Sequence, residues 1–178
     1  MKLHIGCGKC YVPGWTNLDI GIFDDAIVDV VDDARTLKTI KDGSCEIIYA
    51  SHVLEHFGRH DHIYVLQVWR RKLRPGGILR ISVPDFDKVV EKYNETSDLE
   101  LISGFLLGGQ RTSYDYHNMI FNKSSLEAAL RAAAFSEVNE WDWRNVSHAH
   151  IDDYSQAYLP HMDKEGGLLM SLNLEAVK

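Results

Sequence analysis

Alternation of strand-like and helix-like segments is the feature of this sequence that most restricts its fold. Residues 62–73 carry apolar side chains at a helical spacing and are followed by Pro75-Gly76-Gly77, which is typical of a helix end. Five short apolar segments have the length and the boundaries of β-strands, at 3–5, 16–20, 26–31, 45–50 and 78–83. Strands that alternate with helices favour a mostly parallel α/β sheet.

The second half of the sequence adds further helices and then two closing strands. Helices are predicted over 86–93, 99–107 and 122–134. Segments 138–143 and 168–177 alternate apolar and polar residues, so they are predicted to be consecutive strands. Two consecutive strands give such a sheet an antiparallel edge, and the sequence therefore predicts seven strands with an antiparallel last strand.

Length and charge restrict the class of function. The chain has 178 residues, which is the size of one domain. Its formal charge of -7 weighs against a nucleic-acid partner, because such binding depends on basic patches. No apolar run reaches the roughly 20 residues of a membrane span, and the apolar start ends at Gly6, too early for a signal peptide. We therefore expect a cytoplasmic protein without a nucleic-acid or membrane partner.

Three cysteines, Cys7, Cys10 and Cys45, include one isolated C-x-x-C pair. A structural zinc site needs four ligands, and no second C-x-x-C follows. The odd number of cysteines fits a reducing compartment. We therefore do not interpret this pair as a metal site.

Polar residues and glycines follow the ends of four predicted strands, where open α/β sheets bind their ligands. The first strand ends at Gly6-Cys7-Gly8, where glycines let the backbone approach a ligand. The second ends at Asp19, which could accept hydrogen bonds from two ribose hydroxyls, and the fourth ends at Ser51-His52. The third ends at Asp33-Ala34, where the acid could accept an amino proton from a purine, although Asp32 could take that role.

Longer segments of the sequence resemble the class I S-adenosylmethionine-dependent methyltransferases. The resemblance covers nearly the whole chain and rests on LHIGCG (3–8), NLDI (17–20), VDDARTL (31–37), EIIYASHVLEH (46–56), LRPGGILRISVPD (73–85) and AAAFSEVNEWDW (132–143). It is closest to small bacterial and phage-type methyltransferases of a type 11-like group near glycan biosynthesis. The resemblance implies one Rossmann-like domain over 1–178, with helices on both faces of the sheet, and S-adenosylmethionine as the cofactor.

The resemblance also implies roles for the residues at the strand ends. The turn at 6–8 would approach the methionine part of the cofactor, Asp19 would hold the ribose, and Ser51 would line the methyl-donor pocket. Asp33 and Ala34 would hold the adenine. The complete cofactor-binding set is Gly6, Cys7, Gly8, Asp19, Ile20, Asp33, Ala34, Ser51 and His52.

The sequence departs from the common family pattern near its start. Cys10 replaces the third glycine of the usual G-x-G-x-G, and about ten residues between Gly8 and Asp19 leave no room for a crossover helix. The family's usual helix before the first strand is also missing from this sequence. Cofactor binding would then be weak, or substrate or a second subunit, as in a homodimer, would complete the site.

Two segments follow strand ends and are predicted to face the acceptor: the insert 85–122 and the loop 144–167. Both are rich in side chains that suit a sugar, namely Tyr114, Asp115, Tyr116, His117, Asn118, His148, His150, Asp152, Asp153, Tyr154, Tyr158 and His161. Methyl transfer to an alcohol benefits from a general base. The candidate bases are His117, His52, His148 and His150, with His117 first; alternatively, His117 only caps a helix or fastens the insert.

These patterns predict an enzyme that methylates an oxygen of a saccharide or a similar polar small molecule, as in glycan modification. The alternatives are N-methylation of a sugar amine or small metabolite, and a non-catalytic protein that binds S-adenosylmethionine as a partner. DNA base methylation is disfavoured, because Ala50-Ser51-His52-Val53 replaces the expected Pro-Pro-aromatic run. No metal is predicted, because the ligand types at 148–153 lie in a loop without fixed geometry.

Overall fold

The computed structural model describes residues 1–22 and 26–178. The strands are β1 (Lys2–Ile5), β2 (Thr16–Asp19), β3 (Val30–Val31), β4 (Cys45–Ser51), β5 (Leu73–Pro84), β6 (Ser136–Glu140), β7 (Tyr158–Leu159), β8 (Leu168–Leu169) and β9 (Ser171–Val177). Seven of them form one sheet in the order β3-β2-β1-β4-β5-β9-β6, and β7 pairs with β8 in a separate hairpin. Strand β9 runs antiparallel to both of its neighbours, while β1 to β5 pair in parallel. The predicted seven-stranded sheet with an antiparallel last strand is confirmed.

The helices are short. They are α1 (His62–Lys72), α2 (Phe86–Thr96), α3 (Leu99–Leu107) and α4 (Lys123–Ala132), together with 3₁₀ turns at Leu54–His56, Trp143–Asn145 and Tyr154–Gln156. The longest of these helices have 11 residues, against about 20 for a membrane span. Within residues 1–22 and 26–178, no helix has the length and apolar character to cross a membrane.

The two faces of the sheet are covered differently. Alternate strand residues such as Ile48 and Ile81 are fully buried against α1 and α4, where Trp69 is also fully buried. Burial of each such side chain stabilises the fold by about 1.5–3 kcal/mol. On the opposite face Tyr49 packs against Trp15 and Trp141, under loops and the 3₁₀ turn that begins at Trp143. Helices therefore flank the sheet, with α1 and α4 on one face and the 3₁₀ turn Trp143–Asn145 on the other.

Several predicted boundaries differ from the structure. The predicted strand 168–177 is divided into β8, which belongs to the hairpin, and β9, which belongs to the main sheet. Strand β3 has two residues instead of six, because the Asp29 carboxylate accepts a hydrogen bond from the Asn17 N–H (2.8 Å), where a sheet partner would bind. Strand β5 begins at Leu73 and includes Pro75-Gly76-Gly77, because Cys45 of β4 already pairs with Leu73. The loop 144–167, predicted to be irregular, contains β7 and two 3₁₀ segments.

Candidate functional site

A cavity of about 780 Å³ opens at the carboxyl ends of β1, β2 and β4. Small-molecule sites commonly measure about 300–1,000 Å³, so this volume suits a ligand of cofactor size. One wall consists of His4, Gly6, Cys7, Gly8, Lys9, Cys10, Asp19, Ile20, Ser51 and His52. The other wall includes Phe105, Arg111, Thr112, Tyr114 and Asp115 from the insert and Asp152, Asp153, Tyr154, Gln156, Tyr158 and His161 from the loop.

The turn after β1 is held in place by the end of β2. Gly6 and Gly8 both have positive φ angles, +66° and +49°, which glycine adopts without steric cost. One oxygen of the Asp19 carboxylate accepts the Gly8 N–H at 2.8 Å, and the other accepts the Ile20 N–H at 2.7 Å. Because a carboxylate oxygen has two lone pairs, each oxygen of Asp19 keeps one for a ligand.

The connection between β1 and β2 is too short for a crossover helix and is stabilised by a buried side-chain amide. Asn17 is fully buried, and its side-chain oxygen accepts the Val12 N–H at 2.9 Å. Its amide group donates to the carbonyls of Val12 (3.1 Å) and Trp15 (3.2 Å). Parallel strands normally need a dozen or more connecting residues. Here the Asn17 side chain fixes the shorter connection 6–15 through its hydrogen bonds.

The structure brings together most of the predicted cofactor residues. Gly6, Cys7, Gly8, Asp19, Ile20, Ser51 and His52 line the cavity. Asp33 and Ala34 are not among its lining residues: the Asp33 carboxylate accepts the Arg35 N–H at 2.7 Å, and the Ala34 carbonyl accepts the Trp69 indole N–H at 2.8 Å. An adenine-binding role for these two residues stays a prediction.

Both thiols of the C-x-x-C pair have raised pKa values. Cys7 and Cys10 are free thiols that line the cavity. Burial, with a smaller contribution from Asp19, raises the pKa of Cys7 to about 12, and burial near Asp153 raises the pKa of Cys10 to about 11. Since the thiolate is the reactive and metal-binding form, these conditions disfavour metal or redox chemistry at this pair.

Among the four candidate bases, His52 lines the cavity, but its Nε2 is already hydrogen-bonded. The Ser171 hydroxyl donates to the Tyr154 carbonyl at 2.6 Å, so the His52 Nε2–H, 2.9 Å away, donates to the Ser171 oxygen. Its Nδ1 then faces Glu55 Oε1 at 3.4 Å. Burial holds the pKa of His52 well below its usual value, so the ring is neutral near pH 7.

His117, the first candidate base, lies outside the cavity lining. Its Nδ1–H donates to the Phe105 carbonyl at 3.0 Å, its ring contacts His56 with centroids 4.9 Å apart, and burial lowers its pKa. Its contacts correspond to the alternative that His117 fastens the insert. Its ring lies against α3 and Glu55, and a role of His117 as the base stays a prediction.

His148 and His150 also lie outside the cavity lining. His148 is only 2% exposed, with its ring centroid 4.3 Å from Tyr49, 5.3 Å from Trp15 and 6.2 Å from Trp141. Neither of its ring nitrogens has a hydrogen-bond partner among the described residues. Burial, assisted by Arg80, lowers its pKa to about 3. His148 is thus a core residue, and His150 is exposed at the surface.

We expect His148 to make the protein less stable as the pH falls. Its folded pKa of about 3 lies below the unfolded value of about 6.5, so the stability present above pH 6.5 is lost progressively toward pH 3. Between pH 8 and pH 5.5 the loss is about 1.4 kcal/mol. Urea unfolding at both pH values, compared with His148→Phe, measures this contribution, and an identical pH dependence in the variant would contradict it.

Sequence reasoning missed several cavity residues. His4 lines the cavity from β1, between Leu3 and Ile5, which face the other side; this period of two was the available signal. Arg111, which pairs with Asp115 at 3.0 Å, had no local signal because it lies in an irregular segment. By contrast, Asp153 was predicted to face the acceptor; it accepts the Tyr49 hydroxyl at 2.6 Å and so attaches the loop to β4.

Glu55 is a further residue without a predicted role. It is 1% exposed, and burial raises its pKa to about 8. The one local signal is an acid within the largely apolar segment Val53-Leu54-Glu55-His56-Phe57. An acid within an apolar segment is commonly exposed, so the sequence alone does not show that Glu55 is buried.

Comparisons with known proteins agree with this geometry. The family described as "Methyltransferase domain" (Methyltransf_11) matches residues 17–81. No curated protein sequence matches the chain. Among solved structures, an S-adenosylmethionine-dependent methyltransferase from Archaeoglobus fulgidus is 18% identical with a TM-score of 0.59, the alignment covering 99% of this chain and 85% of that chain.

Two further structures have the same fold. One is Burkholderia thailandensis 1,6-didemethyltoxoflavin-N1-methyltransferase with bound 1,6-didemethyltoxoflavin and S-adenosylhomocysteine, at 15% identity and a TM-score of 0.59, covering 99% of this chain and 70% of that chain. The other is from the complex of a methyltransferase with the Haloferax volcanii Trm112 methyltransferase activator, at 17% identity and a TM-score of 0.57, covering 99% and 81%. The chain therefore has the fold of the class I S-adenosylmethionine-dependent methyltransferases, whose cofactor is S-adenosylmethionine, and the family match supports that activity.

Proposed function

We propose that this protein transfers the methyl group of S-adenosylmethionine to an oxygen of a saccharide or a similar polar small molecule. The observation that carries this proposal is the composition of the two cavity walls. One wall offers backbone and a carboxylate, as a nucleoside requires, and the other offers tyrosines, charges and a histidine. Such a cavity can hold a donor and an acceptor side by side.

On the cofactor wall, each feature suits one part of S-adenosylmethionine. A Cβ at Gly8 would meet no atom within 4 Å, which leaves open space beside the turn. The free lone pairs of Asp19 suit the two ribose hydroxyls. Asp33 and Ala34 follow β3, where we place the adenine, and Ser51 would line the pocket for the methyl group. The cofactor supplies an activated methyl group, so the protein mainly aligns the acceptor with it.

On the acceptor wall, the side chains have the chemistry that a sugar needs. Tyr114 and Tyr154 are each 59% exposed and can contact a sugar ring, while the Arg111–Asp115 pair can bind hydroxyl groups. His161 lines this wall and is exposed. Neither of its ring nitrogens is engaged by another residue in the described part of the chain, so we assign it as the general base. His52 then acts as a positioning residue that stacks on Tyr154, with ring centroids 5.2 Å apart.

A nitrogen acceptor is the second candidate, because the structurally similar Burkholderia enzyme is named as an N1-methyltransferase. A non-catalytic cofactor-binding protein is the third. The three differ in their products: an O-methyl sugar, an N-methyl amine, or none in spite of cofactor binding.

The test begins with calorimetric titration of S-adenosylhomocysteine, with ATP as the control ligand. We expect one saturable site for S-adenosylhomocysteine alone. Labelled S-adenosylmethionine is then incubated with neutral glycans, nucleotide sugars and amino sugars, and the products are analysed by mass spectrometry. Absence of S-adenosylhomocysteine binding at millimolar concentration, with or without these acceptors, would refute the proposal.

Replacing Asp19 by alanine is expected to weaken S-adenosylhomocysteine binding about 10- to 100-fold. The substitution removes the charge-assisted hydrogen bonds to the ribose, worth about 1.5–3 kcal/mol, and releases the Gly8 N–H. The measurement is calorimetric titration of wild type and variant.

Asp98→Ala is the matched control for this substitution. Asp98 also accepts two backbone N–H groups, from Glu100 (3.0 Å) and Leu101 (3.2 Å), but it caps α3 away from the cavity lining. We expect it to lower stability and leave the affinity unchanged. A folded Asp19→Ala protein with wild-type affinity would remove Asp19 from the cofactor site.

A further inference from the structure

A buried carboxylate next to the cavity lacks the partners that a charged group needs. Glu55 is 1% exposed, and neither of its carboxylate oxygens has a hydrogen-bond partner among the described residues. Ring nitrogens are near Oε1: His52 Nδ1 at 3.4 Å and His117 Nε2 at 3.9 Å. Because buried polar groups in proteins are normally satisfied, this arrangement requires a cation or a proton.

Hydrogen bonds to the backbone determine which nitrogen of each adjacent imidazole is available. His56 Nδ1–H donates to the Tyr116 carbonyl at 3.0 Å, and His117 Nδ1–H donates to the Phe105 carbonyl at 3.0 Å. A neutral imidazole has one donor and one acceptor nitrogen, so the lone pair lies on Nε2 in both rings. Histidines that bind metal ions commonly donate their other N–H to a backbone carbonyl in this way.

The three side chains form a set that suits one ion. One ligand atom from each of Glu55, His56 and His117 lies within 4.8 Å of the others. We propose that these three residues bind a single divalent transition-metal ion such as Zn²⁺. Two imidazoles and one carboxylate favour ions of this kind over Mg²⁺, which prefers oxygen ligands. Ligands of a tetrahedral Zn²⁺ lie roughly 3.3 Å apart, so small side-chain rotations close the site.

The backbone prearranges the ligands, although they come from separate segments. Glu55 and His56 are adjacent in the 3₁₀ turn at 54–56, and His117 comes from the end of the insert. The Glu55 carbonyl accepts the N–H groups of Asn118 (2.8 Å) and Met119 (3.1 Å), which hold His117 beside the turn. The ion would join the insert to the segment after β4, directly behind the cavity wall at His52.

The test uses metal alone and therefore does not depend on methyl transfer. Chelator-treated protein is titrated with Co²⁺, whose visible absorption reports its ligands, and with Zn²⁺ during thermal unfolding. We expect one ion per chain and an increased unfolding temperature. His56→Ala and Glu55→Gln should weaken metal binding by about 100-fold or more, because each removes a direct ligand. Loss of a residue that only supports a ligand already lowers metal affinity by about 10–100-fold.

Two control variants test whether the ion binds at Glu55, His56 and His117 rather than at other side chains. His60→Ala removes an exposed histidine and should bind as wild type does. Cys10→Ser should also leave binding unchanged, and the Co²⁺ spectrum should show no thiolate charge-transfer band. Circular dichroism confirms that the variants fold, and His56 is only half-buried and should tolerate alanine. Absence of stoichiometric binding, equal binding by His56→Ala, or loss of binding in Cys10→Ser would each overturn the proposal.

Discussion

Replacing His161 by alanine is expected to lower kcat for methyl transfer to an oxygen acceptor by about 10²- to 10⁴-fold, the usual contribution of a general base. The ring lines the acceptor wall, and neither nitrogen is engaged by another residue in the described segments. A neutral imidazole has one nitrogen with a lone pair, which suits proton removal from a hydroxyl during the displacement. The measurement is kcat, with a saturating acceptor found by the screen described above.

His150→Ala is the matched control for His161→Ala. Both histidines are exposed and belong to the same loop, but His150 does not line the cavity. We expect His150→Ala to retain kcat, and both variants to bind S-adenosylhomocysteine as wild type does. Full turnover in His161→Ala would exclude His161 as the base.

The central sheet could be predicted because its signals are local. Each buried strand of a parallel α/β sheet is a short apolar run, and its polar end marks the ligand-binding edge. Asp19 and Ser51 therefore line the cavity as predicted from their positions alone. The short β3 could not be predicted, because its length depends on the Asp29 carboxylate, which binds the Asn17 N–H.

The positions of the candidate bases relative to the cavity could not be predicted, because these positions depend on contacts between distant segments. His148 is buried by rings at positions 15, 49 and 141, which come together only in the folded chain. His117 is oriented by the carbonyl of Phe105 and lies beside Glu55. A sequence pattern identifies a histidine in a suitable segment, but burial and tautomer decide whether its nitrogen is free.

Replacing Gly6 by alanine is expected to destabilise the protein by about 2–5 kcal/mol. Its φ of +66° costs an L-residue about 1–2 kcal/mol, and a Cβ there would overlap Cγ2 of Val53, which adds about 1–3 kcal/mol of overpacking. Val53 is 8% exposed and follows β4, so the overlap would disturb two strand ends that line the cavity. Urea unfolding followed by circular dichroism measures the loss.

Gly8→Ala separates the two causes, because Gly8 also has a positive φ of +49° but a Cβ there would meet no atom within 4 Å. We expect it to cost only the backbone contribution of about 1–2 kcal/mol. Val53→Ala removes the overlapping methyl, so Gly6→Ala should cost less in that background than in wild type. Equal destabilisation by Gly6→Ala and Gly8→Ala would mean that Val53 moves at no cost in free energy of unfolding. The conformation of the glycine turn would then depend on Asp19 rather than on the segment after β4.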